Sequence, residues 1–304
     1  MSGTIWARCP AKVNLSLKVV GRRPDGYHEL ETVFQAIELW DDLEAAPAPA
    51  LTLSCDEPTA PGDDSNLVLR AARALRSRFP EPARGAALRL RKRIPVGGGL
   101  GGGSSDAAGT LLLLSRLWEL PTTVADLASL AREIGADVAF FLHGGRALGT
   151  GRGDRIEPLR SLGPFPILLG CPPFAVSTAR TFGSLAARLT LPAAGVSVGE
   201  FPALKWREEN DFRYTGNDLE CVVFAEHPEL GAFRGALLGE GARLARMSGS
   251  GSTVFGVFGA EESLAEARAA LGPRFPGWRL IATRATDAGA HVVGTASGAG
   301  RTGD

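Results

Sequence analysis

Three features of the sequence point to an α+β protein in two domains. Its strands fall in hairpin pairs rather than alternating regularly with helices. Its 304 residues exceed the roughly 150 typical of a single domain. A proline-rich stretch over residues 163–173 interrupts the chain just past its midpoint, as a domain boundary does.

Residues 11–19 alternate strictly, with Ala11, Val13 and Leu15 on one face and Lys12, Asn14, Ser16 and Lys18 on the other, the period of a half-buried strand. Gly21, Pro24, Asp25 and Gly26 supply turn chemistry, and residues 30–39 form a second strand suited to pair with the first. Residues 41–50 read as a Pro/Ala connection, 51–55 as a short strand, and 66–79 as a helix with Leu67, Ala71, Ala74 and Leu75 on one face. A strand over 88–94 enters a glycine loop, and a helix over 106–120 leaves it, ending at Pro121. Helix 124–134 and strands within 147–159, marked by Gly149, Gly151 and Gly153, complete a first domain expected at residues 1–162.

The second domain, expected at 163–284, begins with a strand at 167–169. Helices follow at 178–189, 217–225 and 230–238, then a strand at 253–258, a helix at 261–270 and a strand at 278–283. That order suits a ferredoxin-like layer of helices on one sheet. Residues 285–304 are rich in Gly, Ala and Thr and are expected to form a mobile tail.

Acidic and basic residues number 33 each, so no basic field is available to attract nucleic acid or anionic lipid. Cys9, Cys55, Cys171 and Cys221 are dispersed, which excludes a readable disulfide framework or zinc site and fits a reducing cytoplasm. No signal-like apolar run opens the chain, and four prolines break the charge-poor segment 161–179, so no membrane span is expected.

The chemistry concentrates at one loop. Pro95 and Val96 lead into Gly97, Gly98, Gly99, Leu100, Gly101, Gly102 and Gly103, and Ser104 and Ser105 follow. Glycines allow positive φ and turn successive N–H groups inward, and the next helix adds its unpaired amides and positive dipole end, which suits a polyphosphate. A Walker A loop is excluded because no lysine follows the glycines, and a dinucleotide fold lacks its acid-tipped second strand. Asp106 is awkward beside phosphate: it points away, holds an organising hydrogen bond, or faces a metal. A second glycine cluster spans residues 247–253.

Residues 95–108 resemble the phosphate loop of the GHMP kinase superfamily. The match extends, in order, through residues 11–15, 24–30, 101–108, 135–138, 217–220 and 247–251, covering about residues 7–283. The resemblance implies an N-terminal domain like the second domain of ribosomal protein S5, a ferredoxin-like C-terminal domain, and a cleft between them. Within the superfamily the motifs are similar to the branch whose acceptor is CDP-methylerythritol. This implies ATP and that diphosphocytidyl polyol as small-molecule substrates, Mg²⁺ carried mainly by phosphate oxygens and water, and transfer to the 2-hydroxyl in non-mevalonate isoprenoid synthesis. The alternatives are another GHMP enzyme of homoserine or mevalonate kinase type, or a non-catalytic nucleotide-binding module. The superfamily's usual prolines after residues 138 and 251 are replaced by Ala139 and Ser252.

Phosphoryl transfer to an alcohol needs a carboxylate to orient the hydroxyl and cations to neutralise the moving phosphoryl group. The resemblance gives those roles to Asp137 and Lys12. Taken alone, Asp137 also reads as a helix cap and Lys12 as a solvated strand residue. Only four of the 33 basic residues are lysine, which favours a specific role for Lys12, since Arg does not replace a compact cation. The resemblance assigns Tyr27, His28 and Phe182 to a cytosine ring and puts Asn14 near the acceptor; Thr178, one turn before Phe182, can face the same ligand. Asn66 and Lys92 match positions near adenine.

Overall fold

The computed structural model describes residues 3–23, 25–63, 65–80, 85–190 and 216–295, with the side chains of 186–190 and 295 left aside. Pro24 and residues 296–304 lie outside the described residues.

The first sheet is built on a hairpin of two long strands, β1 (Ile5–Arg22) and β2 (His28–Ala48). Next come β3 (Leu51–Cys55), helix α1 (Leu67–Arg78), β4 (Gly85–Arg91), α2 (Gly102–Leu117), α3 (Val124–Ile134), α4 (Val138–His143), β5 (Arg146–Gly151) and β6 (Arg155–Pro158). The central order is β11-β1-β2-β4-β3, β11 being His291–Thr295, with β5 and β6 attached along the other half of β2. The neighbours are antiparallel except β3 with β4. Two expectations are corrected here. Residues 41–48 continue β2 instead of forming a connection, because β1 and β4 pair with them from both sides. Residues 285–295 are no loose tail: Ala290 donates its N–H to the Phe141 carbonyl, and β11 pairs with the edge of β1 from Ile5 to Arg8.

The second sheet has the order β10-β7-β9-β8, fully antiparallel, formed by β7 (Pro166–Cys171), β8 (Leu244–Met247), β9 (Val254–Val257) and β10 (Arg279–Arg284). Helices α5 (Thr178–Thr190), α6 (Glu220–Glu226), α7 (Pro228–Gly239) and α8 (Glu261–Leu271) accompany it. This is the ferredoxin-like order that the resemblance implies, and β8 falls in a segment where the sequence predicts no strand. Among the described residues no helix is long and apolar enough to cross a membrane.

Three apolar clusters hold these layers. One packs α1 to α4 on the first sheet, one fills the second domain, and one seals the sheets together through Ala11, Val13, Leu15, Ile167, Leu169 and Phe255. Ile5, Ala7 and Cys9 belong to the helix-side cluster, whereas Ala11, Val13 and Leu15 belong to the seam. The register of β1 against β2 shifts between Pro10 and Ala11, and this irregularity turns the strand over. Lys12 and Asn14 therefore point to the helix side, where α2 begins, and both are almost fully buried. The polar face of β1 thus lines an interior cleft, unlike the outer face of an ordinary half-buried strand.

Candidate active site

Helix α2 starts at Gly102, four residues before the Asp106 predicted from propensity. Glycine is a poor helix former, but burial of Ala107, Ala108, Leu111 and Leu114 carries the helix into the glycine run. Its N-cap is Gly101 at φ 72°, which supplies no capping side chain. The first-turn amides consequently face a cavity of about 460 Å³ lined by residues 95–104, with Asn66, Lys92 and Asp106 on its wall. An uncapped helix start within such a cavity offers unpaired amides and a positive dipole end suited to an anion. Ser105, grouped with the loop by sequence, is fully buried and does not line this cavity.

The loop is fastened from two sides. The Lys12 amide donates to the Leu100 carbonyl at 2.9 Å, and the Thr253 amide donates to the Gly98 carbonyl at 3.1 Å. The Ser248 hydroxyl donates to the Gly99 carbonyl at 2.9 Å. The second glycine cluster is thus the seat of the first. Ser252 donates its hydroxyl to the Phe174 carbonyl at 2.7 Å, which ties this cluster to the segment before α5. Gly99 has φ 75°, and a Cβ there would come within 2.2 Å of the Ser248 carbonyl oxygen. Gly99→Ala is expected to cost about 2–3 kcal/mol of stability and to weaken nucleotide binding, as thermal unfolding and calorimetric titration would show.

Beneath the loop, Lys92 lies between two carboxylates. Its Nζ is 2.7 Å from Asp106 Oδ2 and bonds Asp41 Oδ2 as well, and all three side chains are buried. Asp41 Oδ1 accepts the Arg93 and Ile94 amides, which sets the path into Pro95. Burial works against the Lys92 charge, but Asp106 and Asp41 outweigh it and hold the ammonium above its ordinary pKa. Burial pushes the Asp106 carboxyl up to about 7; Asp41 acts in the same direction and Lys92 against it. Asp106 therefore holds an organising ion pair, one of the three roles left open by its sequence. Asn66 caps α1, its Oδ1 accepting from Val68 and its Nδ2 donating to the Pro61 carbonyl, so its amide is largely spent on local structure.

A second cavity of about 300 Å³ shares Gly99, Gly101 and Thr178 with the first. Lys12, Asn14, Asp137, Arg152 and Phe182 line it. Lys12 Nζ is 2.6 Å from Asn14 Oδ1 and 3.4 Å from Asp137 Oδ2. Asn14 in turn donates to Thr32 Oγ1 at 2.7 Å, which orients its amide. Asp137 occupies the N-cap position of α4 but makes no side-chain cap hydrogen bond, so its carboxylate is free for the cavity. Thr178 Oγ1 and Ser250 Oγ, 2.7 Å apart, join the first turn of α5 to the second glycine cluster.

The expected base-binding residues sit at the mouth of this cavity without all lining it. The His28 ring stacks on Phe182 with centroids 5.1 Å apart. Burial, aided by Arg22, pushes the His28 imidazole below its ordinary pKa, and its Nε2 is buried without a protein partner among the described residues. Tyr27 is 58 % exposed, with the Arg152 guanidinium 5.2 Å from its ring centroid. Arg152, Thr32, Ser250 and Asp41 were not singled out from sequence. The glycines at 151 and 153 flanking Arg152 were the available signal.

Residues 66–145 match the family described as GHMP kinases N terminal domain, and residues 201–276 match GHMP kinases C terminal. A 4-diphosphocytidyl-2-C-methyl-D-erythritol kinase of Synechococcus sp. (strain JA-3-3Ab) is 43% identical over 282 residues, 90% of each chain. A crystal structure of 4-(cytidine 5'-diphospho)-2C-methyl-D-erythritol kinase superposes with a TM-score of 0.73 at 36% identity, covering 92% of this chain and 99% of that one. A homoserine kinase from Cytophaga hutchinsonii superposes equally well, TM-score 0.74, at 18% identity over 96% of this chain and 98% of its own. The fold is thus common to both activities, and sequence similarity separates them.

Proposed function

This chain belongs to the GHMP kinase family, within its 4-diphosphocytidyl-2-C-methyl-D-erythritol kinase branch, and we propose that Asp137 and Lys12 carry out the branch's phosphoryl transfer between its two cavities. It is a small-molecule kinase with ATP as donor. The observation that carries the reading is the shared wall: Gly99, Gly101 and Thr178 border both cavities, with the Asp137–Lys12 pair on the acceptor side.

ATP lays its triphosphate along the glycine loop against the first-turn amides of α2. The 2-hydroxyl of 4-diphosphocytidyl-2-C-methyl-D-erythritol enters the second cavity beside Asp137. Its oxygen forms a bond to the γ-phosphorus while the bond from that phosphorus to the β-bridging oxygen breaks, leaving the electron pair on ADP. The hydroxyl proton passes to the Asp137 carboxylate. Lys12, 3.4 Å from that carboxylate, orients it and neutralises charge on the transferred group. A tertiary hydroxyl is crowded and weakly acidic, so positioning by Asn14 and Lys12 outweighs proton removal.

Magnesium fits this site as a passenger on the triphosphate. Asp106 lines the triphosphate cavity, and its Oδ1 has no hydrogen-bond partner among the described residues, so that atom would meet such an ion. When bound it would neutralise phosphate charge. The four free cysteines support a cytoplasmic setting, and the zero net charge speaks against a nucleic-acid partner.

An ADP-release assay tests the reading. Turnover is expected with CDP-methylerythritol and not with methylerythritol phosphate, homoserine or mevalonate. Activity confined to an acceptor without a base would overturn it.

A further inference from the structure

We propose that Arg152 binds the diphosphate of the acceptor and thereby measures the distance between its base and its reacting hydroxyl. The inference rests on the acceptor reading above and deepens it.

The acceptor has an aromatic base at one end, a polyol at the other and two phosphates between. Its cavity brings matching groups together: Asp137 and Lys12 line it, and so does Phe182, on which His28 stacks. Arg152 lines the same cavity and reaches over the Tyr27 ring, so it joins the cavity of the reacting pair to an aromatic residue assigned to the base. Lys12 and Arg152 are the cations on this wall among the described residues. Lys12 is committed to Asp137 and Asn14 at the reacting end. A diphosphate buried along this path has Arg152 as its remaining counter-charge, and a guanidinium presents the planar fork that phosphate oxygens match.

The backbone holds Arg152 for this purpose. Gly151 and Gly153, at φ 73° and 93°, flank it in a turn closed by the Gly153 amide on the Thr150 carbonyl. Asp154 Oδ1 accepts the Arg152 amide at 3.0 Å. The side chain is anchored through one nitrogen: Nη2 reaches the Arg132 carbonyl at 3.4 Å and Asp154 Oδ2 at 3.3 Å. Nε and Nη1 have no protein partner among the described residues, which leaves donors for a ligand. Asp154 and Asp25 lie near it and Asp137 lines the same cavity, and Asp154 orients the group without taking up its full donor set.

The test compares cytidine with CDP as inhibitors competing with the acceptor, in the parent protein and in Arg152→Met and Arg152→Lys. Arg152→Met keeps the apolar stem and removes the fork. It is expected to weaken CDP about tenfold or more and to raise the acceptor KM similarly, with cytidine inhibition and the ATP KM unchanged. Arg152→Lys should recover part of the CDP affinity. If Arg152→Met weakens cytidine as much as CDP, or weakens neither, the proposal is overturned. A parent protein that neither turns over CDP-methylerythritol nor is inhibited by CDP would instead remove the acceptor reading itself, before any Arg152 variant is compared.

Discussion

Replacing Asp137 with asparagine is expected to lower turnover by about 10²–10⁴-fold while ATP still binds. The carboxamide keeps the shape of the side chain but cannot take a proton from the acceptor hydroxyl. Asp137 does not line the triphosphate cavity, so the donor's binding surface is untouched. It makes no cap hydrogen bond to α4, so the helix loses little. Lys12 retains Asn14 as a partner at 2.6 Å, which keeps the ammonium in position. Measuring kcat by ADP release together with the ATP dissociation constant checks both halves. Near-normal turnover would remove Asp137 from the role of base, whereas loss of ATP binding with loss of turnover would point to a collapsed cleft.

Lys92→Met should have the largest effect on stability, about 3–5 kcal/mol, because it strands the buried carboxylates of Asp41 and Asp106 without their counter-charge. The pH dependence follows from Asp106. Its folded pKa of about 7 lies above the 3.8 of an unperturbed carboxyl, so the folded protein binds this proton more tightly than the unfolded chain. The stabilisation is full below about pH 4 and declines as pH rises toward 7. Removing Lys92 takes away the opposing charge and extends that decline upward. Lys92→Met should therefore show a larger deficit at pH 8 than at pH 5 in urea unfolding. Unchanged stability at pH 8 combined with weakened ATP binding would instead make Lys92 a nucleotide ligand, as its sequence position suggests.

Much of the scaffold was legible where local chemistry and long-range packing agree. The helix expected over 66–79 forms at 67–78 with Ala71 and Leu75 buried as expected, while Val68, Leu69 and Ala72 rather than Leu67 and Ala74 complete the buried face. The glycine loop was legible because residues 97, 99 and 101 take φ values that glycine adopts freely. Where packing overrode local preference, the reading failed. Propensity starts α2 at Asp106, yet burial of its apolar face extends it to Gly102 and so bares the amides that face the phosphate cavity. Pro47 and its alanine neighbours look like a connection, yet two pairing strands hold them in β2. Residues 291–295 pair with β1 across nearly the whole chain, a separation that no window of sequence reports.

The sequence by itself determined the glycine-rich loop and the family, and it nominated Lys12 and Asp137, because these depend on residue types at close spacing. Only the tertiary structure decided what they face. Alternation states that Lys12 and Asn14 share a side of β1, but not which layer covers that side. The register shift between Pro10 and Ala11 turns that side toward α2 and Asp137. It also decided that Arg152 joins them, since a turn between two short strands comes beside Asp137 through sheet pairing rather than through nearness along the chain.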